Sequence, residues 1–160
     1  MIRKLFATDE SAATTVLRLV LGLIFFAHGA QKMLGWFGGF GFSGTMGFLT
    51  GNMHIPAPLA FLAIAAEFFG GLGLILGFLT RVAAFGIAVN MLVAIATVHA
   101  PFGFFMNWNG TQGGEGFEYH VLVLAMSAFL MLRGAGAFSV DHAVTVADLS
   151  GTVRRSLAHS

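Results

Sequence analysis

Apolar residues in this chain run together instead of alternating with polar ones. Four stretches, 14–33, 57–79, 82–98 and 117–132, hold nearly all of them. A helix rises about 1.5 Å per residue and a bilayer's hydrocarbon core is about 30 Å thick, so these lengths predict membrane-crossing helices, the fourth slightly short. A short lead, 1–13, precedes span one. A loop rich in glycine and phenylalanine, Gly35–Pro56, joins span one to span two. Thr80-Arg81 leaves room only for a tight turn, so spans two and three are predicted to form an antiparallel hairpin. A second aromatic loop, Ala100–Gly116, leads to span four, which Gly134-Ala135-Gly136 ends before a polar tail. The predicted fold is all-α: a polytopic four-transmembrane-helix bundle over 14–139, with cytoplasmic segments at 1–13 and 140–160.

Composition agrees with that reading. Of 160 residues 57% are hydrophobic and 9% charged, whereas soluble domains carry about 25% charged residues. The formal net charge is +1 and the basic residues are scattered, so no nucleic-acid partner is expected. Cysteine is absent, which excludes disulfides, thiolate metal sites and a cysteine nucleophile. Arg3 and Lys4 ahead of an apolar run, with Ala27-His28-Gly29 behind it, invite comparison with a signal peptide. Asp9, Glu10 and the length of the run argue for a retained span instead. Placing Arg3, Lys4, Arg81, Arg133, Arg154 and Arg155 inside puts both termini in the cytoplasm and both aromatic loops at the outer interface of the plasma membrane.

Polar residues set into the spans carry the candidate chemistry, because ionisable groups in lipid are costly and mark function by default. His28, Gln31 and Lys32 are spaced i, i+3, i+4 and share a face of span one. Glu67 lies on a stripe with Ala60, Ala63, Gly70 and Gly71, and Asn90 on one with Ala83, Gly86 and Ala94. Small residues mark faces where helices meet closely in lipid, so these polar groups are expected to point into the bundle. Counting from the span ends puts Glu67 and Asn90 at ~14–15 Å depth, with His28 one turn from the outer end and His99 at the rim. Together His28, Gln31, Lys32, Glu67, Asn90 and His99 outline an outward-opening, ligand-binding polar pocket with Glu67 near its floor. For Arg18 the favoured reading is a side chain that snorkels to the opposite interface. Glu118 and His120 are two apart on a helix and point in different directions. His99 and His120 read as interfacial. No metal site is expected, since His28, His99 and Glu67 lack any H-E-x-x-H-type spacing. Gly39–Gly44 fits G-x-G-x-x-G, but without a preceding strand it is discounted as a nucleotide site.

Arg18-Leu19-Val20-Leu21-Gly22 followed by His28-Gly29-Ala30-Gln31-Lys32 resembles the first helix of the DoxX-like family of small membrane proteins. Glu67-Phe68-Phe69-Gly70-Gly71 leading to Leu76-Gly77-Phe78-Leu79-Thr80-Arg81 resembles it too, as does the closing Phe138-Ser139-Val140-Asp141. Ala135 departs from the family's frequent proline. The resemblance, over about 15–141, implies a four-helix membrane fold and association with redox systems, including quinone-linked oxidoreductase complexes. The expected function is a membrane subunit of a redox or detoxification system that binds a quinone-like molecule. Its expected partners are the lipid bilayer, a soluble oxidoreductase and a second copy of itself. The alternatives are a proton-coupled carrier or channel for a small solute, and a non-catalytic adaptor for soluble oxidoreductases.

Overall fold

The computed structural model describes residues 5–147, which contain helices and no strand. Four principal helices form the body: α1 (Ala12–Leu34), then, after the short α2 (Gly41–Gly47), α3 (Ala57–Leu76), α4 (Thr80–Ala94) and α5 (Glu118–Arg133). A π turn, Ile95–His99, and a 3-10 turn, Ala100–Phe102, prolong α4. Among the described residues, three helical segments are long and apolar enough to cross a membrane: Ala12–Leu34, Ala57–Leu76 and Thr80–Phe102. The protein is thus an all-helical polytopic membrane protein. At 16 residues, α5 rises about 24 Å, short of a full hydrocarbon core, so three spans rather than four meet the length a bilayer requires.

Local chemistry sets the helix ends. Ser11 caps α1 by accepting from the Thr14 N–H at 3.3 Å, and Gly35 ends it in the left-handed conformation (φ 73°). The hairpin turn falls at 77–79, before the expected Thr80-Arg81, because Gly77 (φ 65°) and Leu79 (φ 50°) both turn left-handed and Thr80 opens α4. Gly77 has no room for a side chain either: a Cβ there would stand 2.3 Å from the Ser139 Cβ.

Helices α1 and α3 pack backbone to backbone. A Cβ at Gly29 would lie 2.4 Å from the Phe68 Cα, and one at Gly71 2.3 Å from the Phe26 nitrogen. In lipid, where apolar surface gains nothing by leaving acyl chains, such close approach is what holds helices together. The core joins Leu21, Phe25, Leu74, Ile87, Met91, Val123 and Leu130, while Val16, Leu23, Phe69, Leu92 and Leu122 face outward as lipid-facing residues should.

At the terminal end of the bundle charged side chains are used up by the backbone. Arg18, expected to snorkel, is 1% exposed. Its guanidinium donates to the carbonyls of Leu74, Ile75 (2.9 Å), Ala135 (2.8 Å) and Phe138 (3.2 Å). The last carbonyls of a helix lack an i+4 N–H; the Gly77 N–H reaches the Leu74 carbonyl at 3.2 Å, and the planar fork of Arg18, buried in the bundle, adds donors there and at Ile75. Residues 140–147 are helical, and Asp141 caps α4 by accepting from the N–H groups of Leu79 (2.8 Å) and Thr80 (2.9 Å). Arg81 donates to the carbonyls of Met131, Leu132 and Ala7, and Arg133 pairs with Asp9 at 2.7 Å. The flanks at 7–11 and 140–147 therefore form part of the folded body. The lead at 1–4 and the tail from 148, with Arg154 and Arg155, lie outside the described residues.

Candidate functional site

At the loop end of the bundle, three helices bring one polar side chain each to a common point. Lys32 stands on the last turn of α1, Glu67 midway along α3, and Asn90 on the facing side of α4. The Lys32 ammonium pairs with Glu67 Oε2, and the Asn90 amide donates to Oε1 at 2.8 Å. Glu67 is buried, with 8% of its side chain exposed against 36% for Lys32. The ion pair therefore has a dry end and an open end, and the open end meets a cavity of about 530 Å³. That volume falls within the usual 300–1,000 Å³ of small-molecule sites.

The cavity is apolar apart from this cluster and Thr97. Its floor is made of small residues, Ala63 and Ala66 on α3 with Gly86 and Ala94 on α4. Leu49 and Met53, from the segment after α2, close the loop side. Two π turns flank it, Phe48–Asn52 and Ile95–His99; π turns within helices recur at functional sites.

Hydrogen-bond capacity defines what this cluster can do. Both Glu67 oxygens are engaged, but an ammonium has three N–H groups and an amide two, and the contacts to Glu67 use one of each. Lys32 and Asn90 are left with donors for an acceptor such as a carbonyl oxygen. Glu67, held between them, accepts from both.

The six residues singled out in the sequence divide evenly. Lys32, Glu67 and Asn90 come together in the cavity wall. His28, Gln31 and His99 lie outside it. Gly29 must face the Phe68 backbone, and at about 100° per residue this turns His28 aside to an exposed position. The Gln31 amide donates to the Phe37 carbonyl at 3.4 Å and its backbone is covered by Gly39. His99 Nδ1 lies 2.8 Å from the Glu115 carbonyl oxygen, and its ring lies 4.1 Å, centroid to centroid, from that of His120. His120 is buried, and its Nδ1 has no hydrogen-bond partner among the described residues; the same holds for the neighbouring Tyr119 hydroxyl. Tyr119 was not visible as a polar core residue, because nothing in one chain marks a tyrosine at the start of a helix as buried.

Comparison with known proteins agrees with this architecture. Residues 13–100 match the DoxX family model. A Bacillus subtilis (strain 168) protein named "Putative oxidoreductase CatD" is 32% identical over 142 residues, covering 88% of this chain and 92% of its own. The Escherichia coli (strain K12) "Inner membrane protein YqjF" is 28% identical, covering 82% of this chain and 92% of that protein. An uncharacterized protein of Haemophilus influenzae is 30% identical over 79% of this chain and 86% of its own. No solved structure matches the chain. All three residues of the polar cluster fall within the matched segment, and the chain belongs to the DoxX family.

Proposed function

We propose that this protein is the membrane subunit of a redox or detoxification system and binds a quinone-like molecule in the cavity above Lys32, Glu67 and Asn90. The observation that carries the reading is the pairing of an apolar cavity with donors in excess of the one buried carboxylate. A quinone ring offers carbonyl acceptors to Lys32 and Asn90, and its reduction consumes protons that Glu67 is placed to pass on. The chain carries no recognisable flavin, iron–sulfur or nicotinamide motif, so the electrons come from a soluble oxidoreductase partner. A relative named as an oxidoreductase supports this assignment.

Titration of purified protein with a quinone analogue tests it. Lys32→Met and Asn90→Leu each weaken binding by about tenfold, the worth of one good hydrogen bond to a charged or polar group in a dry site, while His28→Ala does not. Equal affinity in all four proteins removes the site. Proton-dependent solute flux in proteoliposomes, without quinone binding, would make the protein a carrier instead.

The distribution of arginine and lysine supports a topology with both termini in the cytoplasm. Because the chain lacks cysteine, single cysteines report sidedness cleanly. An impermeant reagent added to intact cells labels Phe42→Cys and Thr111→Cys but not Glu10→Cys; the reverse pattern inverts the topology.

A further inference from the structure

The cavity has a side as well as a mouth. Its rim on α3 is Leu62 and on α4 Phe85, Val89 and Val93. Those four line the cavity and are also exposed, at 57%, 59%, 43% and 44%. Both helices cross the membrane, so surface exposed along their length at the depth of Glu67 meets acyl chains and not water. On α4, Phe85 lies beyond Asn90 from the loops and Thr97 lies before it. The lining therefore extends twelve residues, about 18 Å, down the helix. Ala63, Ala66 and Gly86 add little side-chain bulk to the cavity wall; a Cβ at Gly86 would meet the Ala66 Cβ at 3.5 Å, an ordinary contact, so the helix backbones stay packed and the opening lies among the exposed side chains on their lipid-facing side. At the loop end, by contrast, Leu49 and Met53 stand over the cavity.

From this arrangement we infer that the ligand enters sideways from the bilayer, through the lipid-facing gap between the side chains of Leu62 on α3 and Phe85, Val89 and Val93 on α4, and that it is an amphiphile. Its polar headgroup reaches Lys32 and Asn90 while an alkyl or prenyl tail lies across Leu62, Phe85, Val89 and Val93 into the acyl chains. The inference rests on the quinone-like headgroup proposed above and adds the class and the route. A tail lying among acyl chains gains little from apolar contact with protein. The tail's role is to hold the headgroup at the depth of the cluster, so blocking the gap should act on tailed ligands and spare untailed ones.

Two variants and two probes separate the route from the headgroup. Val89→Trp narrows the gap; Met53→Trp adds bulk on the loop side. Binding of decyl-benzoquinone and of a tail-less benzoquinone is measured on the protein in lipid nanodiscs. Sideways entry predicts that Val89→Trp weakens or slows binding of the decyl compound by about tenfold or more and leaves the tail-less compound within about twofold, while Met53→Trp spares the decyl compound. Loss of decyl binding in Met53→Trp with Val89→Trp unaffected overturns the route.

A nitroxide on Ala63→Cys gives a readout independent of any ligand. Relaxation dominated by oxygen, which concentrates in lipid, upholds a lipid-side gap, and relaxation dominated by a water-soluble nickel chelate overturns it. If neither quinone binds wild-type protein, the headgroup reading fails, and the nitroxide measurement still decides the route.

Discussion

The two ends of the bundle use charge in opposite ways. At the terminal end the charged groups among the described residues serve the backbone or an opposite charge, although the buried Arg81 Nε and Thr80 hydroxyl have no partner. Arg18 holds four carbonyls, Asp141 caps α4, Arg81 takes the last carbonyls of α5, and Arg133 meets Asp9. At the loop end Lys32 and Asn90 keep donors unspent beside a cavity, and His120 Nδ1 and the Tyr119 hydroxyl have no partner. The same few polar residue types thus build a lock at one end and line a cavity at the other, and what tells the two apart is whether they meet backbone groups or open space.

This contrast breaks first at Arg18. Arg18→Met removes the guanidinium from four carbonyls in the bundle, of which Leu74 keeps the Gly77 N–H, and should cost about 3–5 kcal/mol, read as loss of thermal stability in detergent or failure to accumulate in the membrane. Arg18→Lys should recover part of that loss, because an ammonium cannot span the same carbonyls, and should leave quinone binding unchanged. An Arg18→Met protein as stable as wild type would show that the terminal end is no lock.

Asp141 gives the next largest effect. Asp141→Ala strips the cap from two buried N–H groups and should cost about 1–2 kcal/mol, while Asp141→Asn, which keeps one acceptor oxygen, should cost less. Equal losses in the two variants would mean that packing, and not capping, is what Asp141 supplies.

Glu67 sharpens the comparison from the other end. Glu67→Gln keeps the shape and one acceptor oxygen, and the Lys32 ammonium it releases can reach solvent, so stability should fall by less than about 1 kcal/mol. The proton transfer proposed for Glu67 should nonetheless be lost, since an amide does not exchange protons as a carboxyl does. A Glu67→Gln protein destabilised as much as Arg18→Met would move Glu67 into the lock.

The smallest effect is at Asp9. Burial opposes ionisation of its carboxyl, but the Arg133 guanidinium, the Ser11 N–H and the Thr14 hydroxyl outweigh it and hold the carboxyl below its ordinary range. A carboxyl whose pKa is lowered by folding stabilises the protein above the unfolded value, about pH 3.9, and that stability is lost as pH falls through the lower folded value. Asp9→Asn should therefore lower the unfolding temperature at pH 7 by the equivalent of no more than about 1 kcal/mol, with the difference closing in acid. A difference that widens in acid would contradict the pairing with Arg133.

Sequence alone carried the reader to the membrane, to an all-helical fold and to Glu67 as the deepest acid, because run length and the cost of an ionisable group in lipid are properties of composition and order. The small-residue stripe of Glu67, with Gly70 and Gly71, also indicated the inward face of α3, but the stripe of Asn90 did not do so for α4, which buries Ala84, Ile87, Ala88 and Met91 and leaves Gly86 and Asn90 half-buried in the cavity wall. Helical spacing could not say which member of His28, Gln31 and Lys32 meets Glu67, since i, i+3 and i+4 share a face only to within tens of degrees. The Gly29 backbone contact then fixed the rotation that admits Lys32 alone. Nor could spacing separate a snorkelling arginine from a clamping one. Arg18 clamps because the chain returns at Ala135 and Phe138, more than a hundred residues later, with carbonyls that need donors. The sequence by itself determined the solvent this chain folds in and which residues are expensive there. Tertiary structure decided which of those residues find a partner, because hydrogen bonds and ion pairs across helices depend on rotation and register that no single segment contains.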